Sequence, residues 1–283
     1  MNARNDTFYR HLREWFTVFL PRQRAVSPHT ITACRQAWNL LLGYIHDTRR
    51  IRLEMVTFTV FNRALIAEFL DHMTATRGWK ATTYNQRLAC IRSFFHYAAS
   101  AEPALAMHLA DIAGVPQKKS PNNPPVCHLT TTAIAALLAA PNPETRTGLR
   151  DQFFMILMYD LAARDAEMLA LTVGDINPQR RSAELIGKGS KPRRLPITAD
   201  TAAHFQRYAM AFHPGMDPGQ HLFYTTHDHR KTPMSDDNVA RFLRQHADTA
   251  RQACQDIPRK IHPDMLRHSR AMHLYQAGMP LSI

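Results

Sequence analysis

His262-Pro263-Asp264-Met265-Leu266-Arg267-His268-Ser269 is the stretch on which the reading of this chain turns. Proline is tolerated in the first turn of a helix, where its missing N–H would have no partner anyway. A helix is therefore expected from near Pro263 to about Gln276, with Gly278 and Pro280 ending it. Arg267 then stands near the start of that helix among ionisable neighbours. A second arginine, Arg164, stands in Tyr159-Asp160-Leu161-Ala162-Ala163-Arg164-Asp165-Ala166-Glu167-Met168-Leu169. Between the two lies a tight basic turn, Gly187-Lys188-Gly189-Ser190-Lys191, whose glycines admit positive φ and hold Lys188 at its tip. Guanidinium groups stay charged at any working pH and present paired N–H donors that match phosphate oxygens. Arg164 and Arg267 are read as two halves of a grip on one phosphate. Each also has a plainer reading: Arg164 as a boundary arginine paired with Asp165 or Glu167, Lys188 as an exposed hairpin lysine.

The totals fit a polyanion-binding protein. A chain of 283 residues favours two domains, each long enough for its own core. With 45% hydrophobic and 20% charged residues, global disorder is excluded. Lys and Arg number 35 against 23 Asp and Glu, a formal charge of +12 that attracts nucleic acid before most other partners. The four cysteines, Cys34, Cys90, Cys127 and Cys254, are scattered without a CxxC, so neither a zinc site nor a disulfide framework is indicated. Reduced thiols in the cytoplasm are the default. The N-terminus lacks the apolar core of a signal peptide, and no run nears the ~20 apolar residues that span a bilayer.

Taken in order, residues 7 to about 115 read as helices. Ser27-Pro28 starts one that carries Ile31, Cys34, Trp38, Leu41 and Ile45 on a face, and Gly43 weakens its end. Another runs through Arg63–Leu70 to a break at Gly78, and Thr82 or Thr83 is placed to cap the next. Tyr84, Leu88, Ile91, Phe95 and Ala98 form the inner face of that helix, with Asn85, Arg87, Arg92 and His96 opposite, either solvated or in a DNA groove. Gln117 to Pro125, rich in proline and carrying Lys118 and Lys119, reads as an extended linker able to track a phosphate backbone. Beyond it Leu129-Thr130 opens a helix that Pro141 and Pro143 stop. Residues 150–163 are apolar on nearly every side, as a core helix is. Asn177-Pro178 is a turn, and Ala183–Ile186 and Arg193–Ile197 are short strands flanking the Gly-Lys-Gly-Ser turn. A helix near 199–212, a brief strand at Leu222-Phe223 and a helix capped by Ser235 follow. His227-Asp228-His229 could seed a metal site, but polar residues before Pro233 are more often a loop. No Walker or dinucleotide glycine pattern is present.

Together these residues resemble the tyrosine recombinases, the phage-integrase family. Arg164 with Glu167-Met168-Leu169 is similar to the family's first arginine motif, Lys188 to its β-hairpin lysine, and Pro263 with Leu266-Arg267-His268-Ser269 to its second arginine motif. Thr147-Gly148-Leu149-Arg150 mimics the first motif, but it precedes the core helix and lacks the following Glu-Met-Leu. The resemblance covers nearly the whole chain. It implies a mainly α fold with a small antiparallel β-sheet: a helical, SAM-like core-binding domain over 1–115, a basic linker over 116–126, and a mixed α/β catalytic domain over 127–283. It also implies the chemistry. A tyrosine oxygen attacks a DNA phosphodiester, giving a 3′-phosphotyrosine and a free 5′-hydroxyl. Arg164 and Arg267 would hold the non-bridging oxygens, each plausibly for ~3–4 kcal/mol of transition-state stabilisation. Lys188 would protonate the leaving oxygen. Arg87, Arg92, Lys118, Lys119, Lys191, Arg193 and Arg194 are the expected DNA contacts. Double-stranded DNA is the expected partner, with self-association or an intact recombinase beside it. No cofactor or metal is implied.

Two departures qualify the resemblance. Asp264 occupies the position where the family usually has a histidine, and an ionised carboxylate repels phosphate and donates no hydrogen bond. It could also draw Arg267 away. In the family the chain continues to a further His or Trp and then the nucleophilic tyrosine, whereas here it stops at Ile283. The catalytic domain is thus expected to be incomplete at its C-terminus. Tyr275 shares a helix with Arg267, about 12 Å on, and is expected to pack beside Met272 and Leu274. The chain is expected to bind recombination sites without cleaving them alone, whether its nucleophile comes from a partner or it is a non-catalytic modulator of an intact recombinase.

Overall fold

The computed structural model describes residues 3–119, 127–187, 191–228 and 230–279. The chain divides into two compact units, 1–123 and 124–283.

The first unit is helical: α1 (Ala3–Glu14), a π-helical extension (Trp15–Gln23), α2 (Pro28–Asp47), α3 (Arg63–Arg77), α4 (Ala81–Ala101) and α5 (Ala106–Ala113). Local chemistry sets the ends. Ser27 Oγ accepts the Thr30 N–H and Pro28 takes the first position of α2; Asn62 caps α3, which stops at Gly78 in the left-handed region, φ 64°. Gly43 does not end α2, which runs on to Asp47, because Leu41, Tyr44 and Ile45 are buried and packing outweighs its weak propensity. α4 begins at Ala81, with Lys80 at the cap position two residues before the first of the expected threonines, and without a side-chain cap. The core is aromatic: Phe8, Trp15, Trp38, Phe61, Phe69, Phe94 and Phe95 are at most 1% exposed.

The second unit is built around α7 (Arg146–Leu161), entered from α6 (Thr131–Ala139). Thr145 caps α7 through the Gly148 N–H. A Cβ on Gly148 would sit 2.0 Å from the Asn142 carbonyl oxygen, so only glycine fits that entry. Phe153, Phe154, Leu157, Met158 and Leu161 are buried with Phe205, Tyr208, Phe223 and Phe242 in one core. After α8 (Asp165–Ala170) come β1 (Ile176–Asn177), β2 (Ser182–Ile186) and β3 (Pro192–Pro196), an antiparallel sheet in that order with Ala183 opposite Leu195 and Leu185 opposite Arg193. α9 (Ala199–Phe212), a hairpin of β4 (Tyr224–His227) and β5 (Arg230–Pro233), α10 (Asp236–Ala250) and α11 (Asp264–Gln276) complete the unit. The fold is thus mainly α with small antiparallel sheets. Leu222 and Phe223 are not strand: they are core residues just ahead of β4. Among the described residues no helix is long and apolar enough to cross a membrane.

Candidate functional site

The site grows from the end of α7. That buried helix ends where Ala162 enters the left-handed region, φ 47°, a conformation that costs a residue with a Cβ about 1 kcal/mol or more. Arg164 then turns extended, φ −80° and ψ 153°, to start α8, and its backbone N–H donates to Glu167 Oε2 at 2.8 Å. The reversal throws the Arg164 guanidinium outward, 54% exposed, with Nη1 3.4 Å from Glu167 Oε1.

The same reversal receives α11. Arg267 Nη1 donates to the Ala162 carbonyl at 2.7 Å, so a residue over a hundred positions downstream is fastened two residues from Arg164. Arg267 is half-buried, and among the described residues its other N–H donors have no hydrogen-bond partner. Several bonds fix α11 in this place. Ser269, fully buried, accepts the Leu129 N–H at 2.8 Å and donates to Met265 O at 2.6 Å. His273 bridges the Tyr159 hydroxyl (2.7 Å) and the Leu129 carbonyl (2.9 Å). Arg270 donates to Asp160 at 3.2 Å, and Asp160 also accepts the Thr198 N–H and the Thr201 hydroxyl.

Glu167 is the second organiser. It is buried, and Arg193 of β3 grips it with two bonds of 2.9 and 2.8 Å. Burial pushes its carboxyl up, but the Arg193 and Arg164 hydrogen bonds, with both guanidinium charges, outweigh this and hold it below the ordinary glutamate range. Gly187 makes room: a Cβ there would lie 2.8 Å from Arg193 Nη1. Gly187 also closes the hairpin by donating to Lys191 O at 3.0 Å. The hairpin of the predicted Lys188 is therefore tied to Arg164 through one carboxylate. Lys188 itself lies outside the described residues.

Acidic residues gather at the start of α8. Burial first, then the charges of Asp236 and Asp264, push the Asp165 carboxyl up to about 6. Its buried Oδ1 has no hydrogen-bond partner. Asp264 is exposed, and among the described residues no ion pair joins it to Arg267.

The other sequence-predicted residues fall as follows. Lys191 is exposed at the hairpin, and Arg194 pairs with Glu184 across the sheet at 3.1 Å. Arg193 is committed to Glu167, so its expected phosphate contact competes with a bidentate ion pair. In the helical unit Arg87 donates to the Ala33 carbonyl and Gln36, and Arg92 to the Ala113 and Val115 carbonyls. Lys118 pairs with Asp71 at 2.9 Å and lies 4.4 Å over the Tyr84 ring, while its backbone exchanges two bonds with Asn85. Lys118 thus lies against α3 and α4, and Lys119 beside it is exposed; residues 120–126 of the expected linker lie outside the described residues. Arg150 of the decoy motif binds Asp151, which His246 also contacts, inside the core-facing part of α7. Tyr275 corrects the sequence reading: it is 51% exposed, because it falls on the outer face of a continuous α11, rather than packed. His229 lies outside the described residues, and among those described no group of His, Cys, Asp or Glu is placed to hold a metal. Sequence reasoning missed two residues. Glu167 was legible only as one optional partner of Arg164, although its spacing to Arg164 is that of a helix cap. Asp165 was likewise legible only as an optional partner of Arg164, since its acidic neighbours come from α10 and α11.

The model of the phage integrase family matches residues 128–283, and that of the phage integrase N-terminal SAM-like domain matches residues 14–102. Protein y4rD of Sinorhizobium fredii is 30% identical over 263 residues, covering 91% of this chain and 91% of its own. The tyrosine recombinase XerC of Myxococcus xanthus is 28% identical, over 94% of this chain and 85% of its own. Among solved structures, the Tn1549 transposon integrase in complex with circular intermediate DNA superposes with a TM-score of 0.65 at 15% identity, covering 99% of this chain and 89% of that one, a likeness of fold. With more than half of its length matched by that family's model and a relative 30% identical over 91% of both chains, the chain belongs to the phage integrase family of tyrosine recombinases.

Proposed function

We propose that this polypeptide binds duplex DNA at sites of integration or excision, with Arg164 and Arg267 on the two non-bridging oxygens of one phosphate. The observation that carries this is the Arg267–Ala162 bond, which fastens one arginine beside the turn that displays the other. Both keep N–H donors and solvent access, as a phosphate grip requires. Lys188 serves as the proton donor to the leaving 5′-oxygen in the strand exchange that runs through a 3′-phosphotyrosine. The net charge of +12 supplies the sequence-independent part of binding, and Lys119, Lys191 and Arg194, exposed or at the surface, are its best-placed contacts. The protein works in the cytoplasm on DNA, as one of several copies or beside an intact recombinase.

The polypeptide of residues 1–283 does not cleave by itself. Asp264 sets a carboxylate where the resemblance calls for a histidine, and it acts with Asp236 on Asp165, so negative charge gathers beside the phosphate grip. Tyr275, two turns beyond Arg267 on an unbroken helix, is about 12 Å away along the axis. A second reading rests on that same acidic side: a non-catalytic protein that occupies recombination sites and modulates an intact recombinase. One experiment tests both the DNA clamp and the lack of cleavage that the two readings share. A duplex is selected from a random pool by binding to the full chain, nicked, and incubated with it. Salt-sensitive binding without a covalent protein–DNA band is expected. A band that Tyr275→Phe abolishes would overturn the cleavage-deficient reading, and binding indifferent to salt would overturn the DNA clamp.

A further inference from the structure

The helical unit holds two thiols that the recombinase chemistry does not use. Cys34 of α2 and Cys90 of α4 are both buried, and Cys34 Sγ donates to Cys90 Sγ at 2.8 Å. A disulfide requires about 2.05 Å, so a side-chain adjustment of under about 1 Å joins them. The pair is not sealed. Both cysteines line a cleft of about 420 Å³, together with Arg24, His29, Gln86 and Ser93. Arg87, three residues before Cys90, spans the same two helices through Ala33 and Gln36, and so keeps a positive charge by the sulfurs.

From this juxtaposition we infer that Cys34 and Cys90 form an oxidisable dithiol, a modification site for peroxide that staples α2 to α4. The two thiols are unequal. The Cys34 hydrogen bond, against burial and with help from Arg87, draws the Cys90 thiol down; the same bond, with burial, pushes Cys34 up. Cys90 is therefore the nucleophile and Cys34 resolves. Cys90 thiolate attacks one peroxide oxygen, the O–O bond breaks, and a sulfenic acid forms while the departing hydroxide collects the thiol proton as water. The Cys34 sulfur then attacks the Cys90 sulfur. The S–S bond forms, the S–O bond breaks, and the hydroxyl leaves with the Cys34 proton as a second water. Two thiols lose two electrons and one peroxide becomes two waters. The bridge closes a sequence separation of 56 residues, which restricts the unfolded chain and stabilises the helical unit.

The test uses the full chain with Cys127, the exposed thiol, replaced by Ser. Native protein is treated with hydrogen peroxide at about a ten-fold excess, alkylated, and mapped by mass spectrometry. Expected are a loss of two hydrogens in mass, a peptide linking Cys34 to Cys90, full recovery with dithiothreitol, and an upward shift of the tryptophan-monitored unfolding midpoint. Cys34→Ser traps a dimedone-reactive sulfenic acid at Cys90; Cys90→Ser leaves Cys34 unreactive. Oxidation of Cys254 ahead of the pair, over-oxidation of Cys90 in the unsubstituted pair, or no reaction before unfolding would each overturn the inference, whether or not the single variants fold.

Discussion

Asp165→Asn should stabilise the second unit at neutral pH. The carboxyl is lifted from 3.8 to about 6 by burial and by Asp236 and Asp264. The native state thus binds a proton between those values that the unfolded state does not. Stability therefore falls as pH rises through this window, and the penalty is complete above about pH 6. At 1.36 kcal/mol per pH unit the shift corresponds to about 3 kcal/mol as an upper bound. Asp165 is only part-buried, so solvent screening reduces this to roughly half. A negative charge at the first position of α8 is worth about 0.5 kcal/mol that the amide forgoes. The net expectation is a gain of about 1 kcal/mol for Asn at pH 7 to 8, shrinking towards zero near pH 4. Urea unfolding followed by far-UV circular dichroism measures it. Trp15, Trp38 and Trp79 all lie in the helical unit, so a transition without a tryptophan signal belongs to the second. A substitution that destabilises at pH 7, or a gain that does not vary between pH 4 and 8, would refute the reasoning.

Other perturbations probe the same framework. Glu167→Ala should cost the second unit about 2–3 kcal/mol, below the usual range for breaking a buried ion pair because Arg193 is 34% exposed; unfolding by urea measures it, and a loss under 0.5 kcal/mol would show that Glu167 organises nothing. Because the Glu167 carboxyl is held below its ordinary value, its contribution is present above about pH 4.5 and lost as pH falls further. Ser269→Ala removes two buried hydrogen bonds, one from the Leu129 N–H to α11 and one to Met265 O within α11, and should cost about 1–3 kcal/mol by the same assay. Asp264→His removes a like charge beside Asp165 and should raise affinity for a selected duplex about two- to five-fold in low salt, by fluorescence anisotropy. Unchanged affinity would place Asp264 outside the phosphate's field.

The helical half was legible because its signals are local. Ser27-Pro28 is a cap that acts within one turn, as Thr130 is in the second unit, and the inner face from Tyr84 to Ala98 follows helical spacing; the Asn62 cap of α3 went unread. α7 and α11 were legible for the same reason. β1 was hidden, because two residues before a proline carry no alternation, and its pairing with Ala183 and Ser182 is supplied by the neighbouring strand. The β4–β5 hairpin was hidden by its polar, threonine-rich strands, which hold no apolar period. The exposure of Arg164 could be read from its place after an apolar helix. Its tether to Arg267 could not, since a carbonyl acceptor at Ala162 depends on a left-handed turn that alanine does not announce. The basic residues of α4 make contacts that sequence did not show. Charge spacing suggested Arg87 and Arg92 for DNA, yet both tie helices and loops together through carbonyls, which sequence cannot display.

The central claim concerns one phosphate and two guanidinium groups. Its most direct measurement is a crystal structure of the full chain bound to a duplex selected from a random pool. Expected is one phosphate with its two non-bridging oxygens within hydrogen-bond distance of Arg164 and Arg267, and the Arg267–Ala162 bond retained. A duplex bound elsewhere, or the two arginines on separate phosphates, would contradict it.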